Sequence, residues 1–542
     1  MARDPMVEVE LVTAPGSPSD GTTDVGAPAE AAAAGPDPAR ARRRRRLVVA
    51  GAAAVVVGLV ATQAVLDARE RAAYARVADV PGVLLPVGDA LEPLWPADRV
   101  AAAGEWASTT WDSPVARSDG VALGAAFDDD GVPRAGAFDG TTGEVLWSVP
   151  LAEPEPLLVQ ESGGWWIQCD VTTGGRDLLA CLVPIHHVPA EPDEDDDPAG
   201  TGSVVATAAE LVVLDAHTHA EVLRVEVEPT ATFMLLGDLV LTARAAPDLS
   251  TTVAARDVLT GTEEWSRTTP PGTARASRHG DPQESTPRLA RLGETVLVQH
   301  GTSVERLAAD GTLLSAAPVD VGEQDFAFFH VARERLPVLQ VYAPGSGPGR
   351  ALVLDPDGAW VELPDSEPVR LTVDDGSQPD LLLLSGRDGP GGTREPDGLG
   401  GSNGLVAWDV REEEVRWSLP SEPADVALVL DGNVYVSTTQ GALVALDLED
   451  GTELWRAEPG PDEPWPGDYS PGVATDGRTL LLLRDRNAAG ATQAPTATAF
   501  AIGDGRRLWS QALPDGIDWT TSAGRVLLGR GGGEGLVLQA FG

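Results

Sequence analysis

Residues 137–147 read Ala137-Phe138-Asp139-Gly140-Thr141-Thr142-Gly143-Glu144-Val145-Leu146-Trp147, and the fold is decided by the recurrence of this stretch. Asp139 can accept backbone N–H groups from the residues that follow it, and Gly143 can take a positive φ, so the two bracket a tight turn. The same frame, Ala-x-Asp-x-x-x-Gly-x-x-x-Trp, returns at Ala255-Arg256-Asp257 through Gly261 to Trp265, and at Ala445-Leu446-Asp447 through Gly451 to Trp455. Two further copies each lose one member. Ala407-Trp408-Asp409 reaches Trp417 with Glu413 where glycine is expected, and Ala499-Phe500-Ala501 reaches Trp509 through Gly505 without the aspartate. In all five copies alanine and tryptophan stand ten residues apart.

Weaker copies fill the gaps at Val213-Leu214-Asp215, at Leu307-Ala308-Ala309-Asp310-Gly311, and at Val353-Leu354-Asp355-Pro356-Asp357-Gly358 with Trp360. Neighbouring copies are mostly about 50 residues apart, a period in the range of propeller blades. Around the copy at 445 the hairpin is legible. Val434-Tyr435-Val436-Ser437 alternates as a strand, Gly441 turns, Leu443 to Leu448 returns, and Glu453 to Arg456 is the outer strand. A tryptophan that recurs once per unit reads as a packing wedge against the neighbouring unit, with the small alanine leaving room for the ring. The chain holds 14 Trp against 8 Phe and 4 Tyr, an inversion of ordinary usage that a repeated wedge explains. The 60 Gly and 44 Pro suit an all-β chain of many turns.

This pattern resembles the pyrroloquinoline-quinone (PQQ) repeat, or quinoprotein alcohol dehydrogenase-like, propeller family over roughly Leu91 to Gly542. The resemblance implies an all-β propeller, which Trp147, Trp265, Trp417, Trp455 and Trp509 with Asp139, Asp257, Asp409 and Asp447 would repeat. It does not fix a function, because the family includes dehydrogenases, assembly lipoproteins and cell-surface binding proteins. Its enzymes share two adjacent cysteines beside the cofactor, a carboxylate and amide Ca²⁺ site and a catalytic aspartate. Here Cys169 and Cys181 are not adjacent and no Ca²⁺ ligand can be carried over, so neither PQQ nor another cofactor is implied by the site residues. The end of the chain offers two strands, Arg525 to Gly529 and Gly535 to Phe541, while Leu91-Glu92-Pro93-Leu94-Trp95 reads as an outer strand without a hairpin. Pairing them would close the ring and remove its edges. The literal count is nine hairpins. Propellers usually have four to eight blades, so one hairpin is taken as an insertion and eight blades are expected, with seven as the alternative.

Outward from the repeat, residues 1–46 form a Pro-, Ala- and Gly-rich tail, expected to be disordered and cytoplasmic, which ends in the cluster Arg40, Arg42, Arg43, Arg44, Arg45 and Arg46. Leu47 to Leu66 follows without a charge. Twenty residues at about 1.5 Å each cover the ~30 Å hydrocarbon core. The arginines on its N-terminal side place everything after Leu66 outside the cell, as a single-pass signal anchor in the plasma membrane. The rival is a signal peptide cleaved near Thr62-Gln63-Ala64. Residues 67–90 read as a juxtamembrane helix, Asp67 to Asp79, ended by Pro81, and a linker. The propeller then occupies 91–542.

The net charge of −44 repels phosphates, so a nucleic-acid partner is not expected, and it repels anionic lipid headgroups. Every basic residue other than histidine is arginine, which excludes lysine nucleophiles and Schiff bases. Cys169 and Cys181 flank a turn centred on Gly175. Directly opposed residues of a hairpin have Cβ atoms about 4.5–5.5 Å apart, so in an oxidising exterior the two can form a disulfide; buried free thiols are the alternative. His217, His219 and the pair His186-His187 lack the three or four converging ligands of a metal site. The acidic insertion Glu191 to Pro198 lacks the calcium-loop spacing and reads as a solvated loop. No phosphate loop, nucleophile elbow or zinc-protease motif occurs, and no catalytic residue is assigned. The sequence therefore reads as a membrane-tethered binding or scaffold module for a protein or cell-envelope partner. The second reading is a PQQ-dependent or other ligand-dependent redox enzyme or sensor. An envelope-assembly scaffold similar to the outer-membrane assembly lipoproteins shares the fold, but no lipobox cysteine follows the apolar segment.

Overall fold

Alternating and wholly apolar runs of five to seven residues, each punctuated by Gly or Asp turns, leave this chain little choice but antiparallel hairpins. The computed structural model describes residue 62, residues 74–95 and, apart from segments such as 155–166, 190–203, 272–285, 387–403 and 485–494, residues 115–542. Residues 71–542 form one compact unit.

Among the described residues the strands group into nine sheets. In chain order sheet 1 spans 115–150, sheet 2 168–227, sheet 3 232–268, sheet 4 288–318, sheet 5 326–362, sheet 6 366–368 with 381–419, sheet 7 426–457, sheet 8 472–512 and sheet 9 519–541. Sheet 7 shows the pattern. Val426–Leu430, Asn433–Ser437, Leu443–Asp447 and Glu453–Ala457 follow one another as a meander. The middle strands are apolar on both faces because each sheet is covered on both sides by its neighbours, while the outer strand alternates with charge.

The core is cut into slabs between successive sheets. Leu383, Leu405 and Ala407 of sheet 6 meet Val429, Val434 and Leu446 of sheet 7 in one slab. Leu428, Tyr435 and Ala445 of sheet 7 meet Val473, Leu480 and Phe500 of sheet 8 in the next. Ala255 and Val253 of sheet 3 face Val296, Val298 and Leu307 of sheet 4. Burying each such Leu or Val is worth about 1.5–3 kcal/mol against leaving it in water.

Closure uses both ends of the propeller. Sheet 9 has three strands of its own, Trp519–Ala523, Val526–Gly531 and Val537–Phe541. The first was not foreseen in the sequence. Its fourth position is taken by 91–95, bridged antiparallel at Pro93 and Phe541, with Glu92 N donating to Gly542 O at 3.1 Å and Leu94 N to Ala540 O at 2.9 Å. Trp95 then carries the seam to sheet 1. Its indole N–H donates to Gly140 O at 2.9 Å, and its ring meets Phe138 edge-on with centroids 5.6 Å apart.

Several expectations change. The expected eight blades, and the alternative seven, fall short of the nine sheets among the described residues, because no hairpin is set aside as an insertion. Arg370–Asp374 is a strand the repeat did not announce. It leaves sheet 6 and pairs parallel with Val426–Leu430 on the inner side of sheet 7. No helix of the described residues is long and apolar enough to cross a membrane, and Leu47 to Leu66 lies outside the described residues except for Thr62. Of the juxtamembrane helix, 74–77 is helical and a turn follows before Pro81.

Trp95 is 3% exposed. Trp95→Ala is expected to cost about 3–5 kcal/mol, the range for truncating a buried large aromatic. Chemical denaturation of the two proteins side by side checks it; a loss below 1 kcal/mol would mean that this contact does not close the ring.

Candidate functional site

In all five copies the alanine and tryptophan of the repeat stand directly opposite each other: Ala137 and Trp147, Ala255 and Trp265, Ala407 and Trp417, Ala445 and Trp455, Ala499 and Trp509. The register slips by one residue immediately after each alanine, a bulge that re-aims the tryptophan. Each ring leaves its own sheet and lies on the third-to-fourth-strand turn of the next. Trp265 donates its indole N–H to Ala309 O at 2.8 Å, Trp417 to Leu448 O at 3.0 Å and Trp455 to Ile502 O at 3.0 Å. Trp509 meets sheet 9, where no chain connects the third strand to the outer one. Gly88 of the N-terminal segment stands in for the turn and accepts at 3.1 Å.

The turn glycine is needed for two reasons at once. Gly451 has φ 71°, and a Cβ there would lie 2.6 Å from the Trp417 ring. Gly505 and Gly311 meet Trp455 and Trp265 in the same way. Where histidine replaces the glycine, the tryptophan stays and the contact changes form. His219 takes its place at φ 62°, and its ring stacks on Trp147 with centroids 4.7 Å apart. Sheet 2 has Leu223 in the tryptophan position, and that side chain touches the Gly261 turn.

The aspartates close the same turns. Asp139 Oδ1 accepts the N–H of Thr141 at 2.8 Å and of Thr142 at 2.9 Å. Asp257 accepts those of Leu259 and Thr260, Asp409 those of Arg411 and Glu412, and Asp447 those of Glu449 and Asp450. The donors hold several of these carboxyls below their ordinary value. For Asp215 and Asp257 the first cause is the backbone N–H of Thr218 and of Thr260. For Asp139 and Asp409 burial pulls upward and is outweighed, by Thr141 and Thr142 in one case and by Glu412 N–H and the Arg416 guanidinium in the other.

The remaining sequence candidates fall elsewhere. Cys169 and Cys181 are register partners with Cα atoms 4.1 Å apart and form a disulfide between the first two strands of sheet 2. His217 and His219 lie on one turn, His187 is buried, and among the described residues no group of three or more His, Cys, Asp or Glu is placed to hold a metal ion. The acidic insertion at 191–198 lies outside the described residues.

The repeat gives no warning of three polar groups that join separate strands. Asp170, Leu235 and Arg291 stitch the first strands of sheets 2, 3 and 4: Asp170 Oδ2 accepts Leu235 N at 2.7 Å and Arg291 Nη2 at 3.2 Å. Arg333 forks onto Asp374 at 2.8 and 2.7 Å and donates to the carbonyls of Ser377, Gln378 and Leu381, which anchors the unforeseen parallel strand. Asp374 is accordingly held low despite its burial. Arg267 of sheet 3 forks onto Glu305 of sheet 4, with His300 alongside. In each case the partners are far apart in sequence, 38 residues for Arg267 and Glu305, 41 for Arg333 and Asp374 and 121 for Asp170 and Arg291, and only the fold brings them near.

The family model described as outer membrane protein assembly factor BamB matches residues 134–333 and 398–531, more than half of the chain. No curated protein matches the sequence. Among solved structures, BamB from Moraxella catarrhalis is similar at 14% identity with a TM-score of 0.34, covering 77% of this chain and 93% of that one. The computationally designed Ika8 protein is similar at 12% identity with a TM-score of 0.33, covering 81% of this chain and 99% of that one.

Two outcomes are expected from the joint. Gly451→Ala, strained and blocked by Trp417, is expected to cost about 2–4 kcal/mol, whereas Gly237→Ala, at φ 60° with nothing within 4 Å of the added methyl, costs only the conformational share of about 1 kcal/mol. Equal losses in thermal melts would remove the ring-on-turn contact as the reason. For the depressed aspartates, stability is fully present above the unfolded carboxylate value near pH 4 and is lost as pH falls through the lower folded values. Asp409→Asn is therefore expected to lower the melting temperature at pH 7 and to shrink the fall between pH 5 and pH 3. An unchanged fall would contradict the assignment.

Proposed function

We propose, for a chain that belongs to the outer membrane protein assembly factor BamB family, that it is a membrane-anchored, extracytoplasmic propeller that binds a protein partner of the cell envelope and performs no catalysis itself. One observation supports this best. The side chains that recur along the chain, the alanines, aspartates, glycines and tryptophans, are committed to joints between sheets. What varies from sheet to sheet is the connecting loops, and recognition by variable loops on a rigid frame is the ordinary way such a frame is used. Similarity to a family named for outer membrane protein assembly supports a protein partner within the envelope. The anchor rests on the arginine cluster and the uncharged stretch Leu47 to Leu66. The net charge of −44 suits a body that stands off anionic lipid and meets basic surfaces on its partner.

The rival redox reading makes a different demand, a saturable cofactor site. Titration of the full chain with PQQ, with and without Ca²⁺, followed by thermal shift and absorbance, is expected to show no saturable change at micromolar PQQ. A saturable shift would overturn the non-enzymatic reading. For the anchor, an alkaline wash of membranes is expected to leave the chain in the pellet, while a variant lacking Leu47 to Leu66 moves to the supernatant. Release of the full chain by the wash would refute membrane spanning.

A further inference from the structure

The seam between sheets 3 and 4 carries a charged group that no joint of the repeat uses. Glu263–Thr268 is the outer strand of sheet 3; Thr295–His300 and Ser303–Ala308 are the middle strands of sheet 4. Arg267 reaches across the seam and forks onto Glu305, Nε to Oε2 at 2.9 Å and Nη2 to Oε1 at 3.0 Å. His300, 2% exposed, places its Nε2 3.8 Å from the same Oε2. Neither of its ring nitrogens has a hydrogen-bond partner among the described residues. One carboxylate oxygen thus faces two cationic claimants, an arginine from the neighbouring sheet and a histidine from its own.

Around the group the seam is apolar, with Val253 and Ala255 against Val296, Val298 and Leu307, and its other polar contacts include Trp265 on Ala309 O, Arg291 on Leu235 O and Thr232 on Pro287 O. The charged groups acting on His300 are Glu305 and Arg267. Arg288 is opposite Gln299 and Arg306 is next to Glu305, so both point to the far side of sheet 4. Arg291 is engaged by Asp170 and Leu235. Arg256, Glu263 and Glu264 lie at the other end of the sheet 3 hairpin.

We propose that Arg267, Glu305 and His300 form a proton-operated clasp: with His300 neutral, Glu305 is held by Arg267 of the next sheet, and when His300 takes up a proton from solvent it draws the carboxylate to its own sheet and the inter-sheet fork loosens. Burial pushes the His300 ring below its ordinary value, Glu305 pulls it back up and Arg267 pushes it down again, with a net lowering. Glu305 stays ionised, because Arg267 outweighs its own burial. Since the folded state resists the proton, this seam is at full strength above the unfolded histidine value of about 6.5 and weakens as pH falls below it. The proposal concerns the frame and stands apart from the identity of the partner.

Hydrogen exchange of the full chain at pH 7.5 and 5.5, corrected for intrinsic rates, tests it. Protection of Glu263–Thr268 is expected to fall about tenfold at the lower pH, while that of Glu453–Ala457 of sheet 7 stays constant. His300→Gln is expected to abolish that fall, and Arg267→Gln to leave protection low at both values. No fall in the native chain, or the same fall in His300→Gln, would overturn the clasp. Should His300→Gln fail to fold, histidine-labelled NMR of the native chain decides. Appearance of the His300 imidazolium together with loss of the Arg267 Nε–H bond supports it, and an imidazole that titrates with that bond intact refutes it.

Discussion

The structure depends on a flat indole resting on a turn that has no side chain to obstruct it. A four-stranded sheet with two apolar faces cannot exist alone in water, and apolar faces by themselves do not choose an angle or a neighbour. The indole does both. Its ring needs a bare surface, which a glycine at positive φ provides, and its N–H needs one carbonyl, which the turn provides, from Leu448 after Asp447 and from Ile502 after Ala501. The bulge after the alanine, the missing side chain on the turn and the hydrogen bond must agree for neighbouring sheets to seat. This explains why alanine, aspartate, glycine and tryptophan repeat together while the apolar residues around them vary freely.

The joint was legible in the sequence because it is local on one side. Alanine and tryptophan are separated by one hairpin, so their pairing follows from spacing alone, and the turn chemistry of Asp139 or Asp447 is written within five residues. The pairing of 91–95 with the last strands was also legible, because an outer strand without a hairpin and a hairpin without an outer strand complete each other. What stayed hidden is nonlocal and occurs once. Nothing around Arg333 announces that Asp374 will sit at 2.7 Å, and the parallel strand it anchors breaks the period of the repeat. The nine sheets of the described residues are countable as hairpins in the sequence, while the usual four to eight blades of a propeller favour a smaller number.

Departures from the repeat show how far the joint bends. A histidine replaces the turn glycine in sheet 2, and the contact survives as a stack of two rings. A leucine replaces the tryptophan of the same sheet and still rests on the next turn. In sheet 4 serine stands in that position, beside the Gly358 turn, and the joint there is reduced to a light touch. The seams between sheets 2 and 3 and between sheets 4 and 5 thus have no indole at the repeat position, and at the first of them Asp170 supplies a polar stitch to Leu235 and Arg291.

The outer strand of sheet 9 has a history as well as a place. Residues 91–95 are made more than 400 residues before the strand they pair with, as the separation of 444 between Trp95 and its partner Gln539 shows. At about 5–20 residues per second, the early strand waits about 20–90 s with its hydrogen-bonding edge unmet. Until the late strand arrives, residues 91–95 have no sheet to hold Trp95 on the sheet 1 turn, and the sheets already made form an open arc. The ring closes only once the strand at 537–541 has been made, and whatever shields 91–95 in the interval protects the growing chain from sticking to its neighbours.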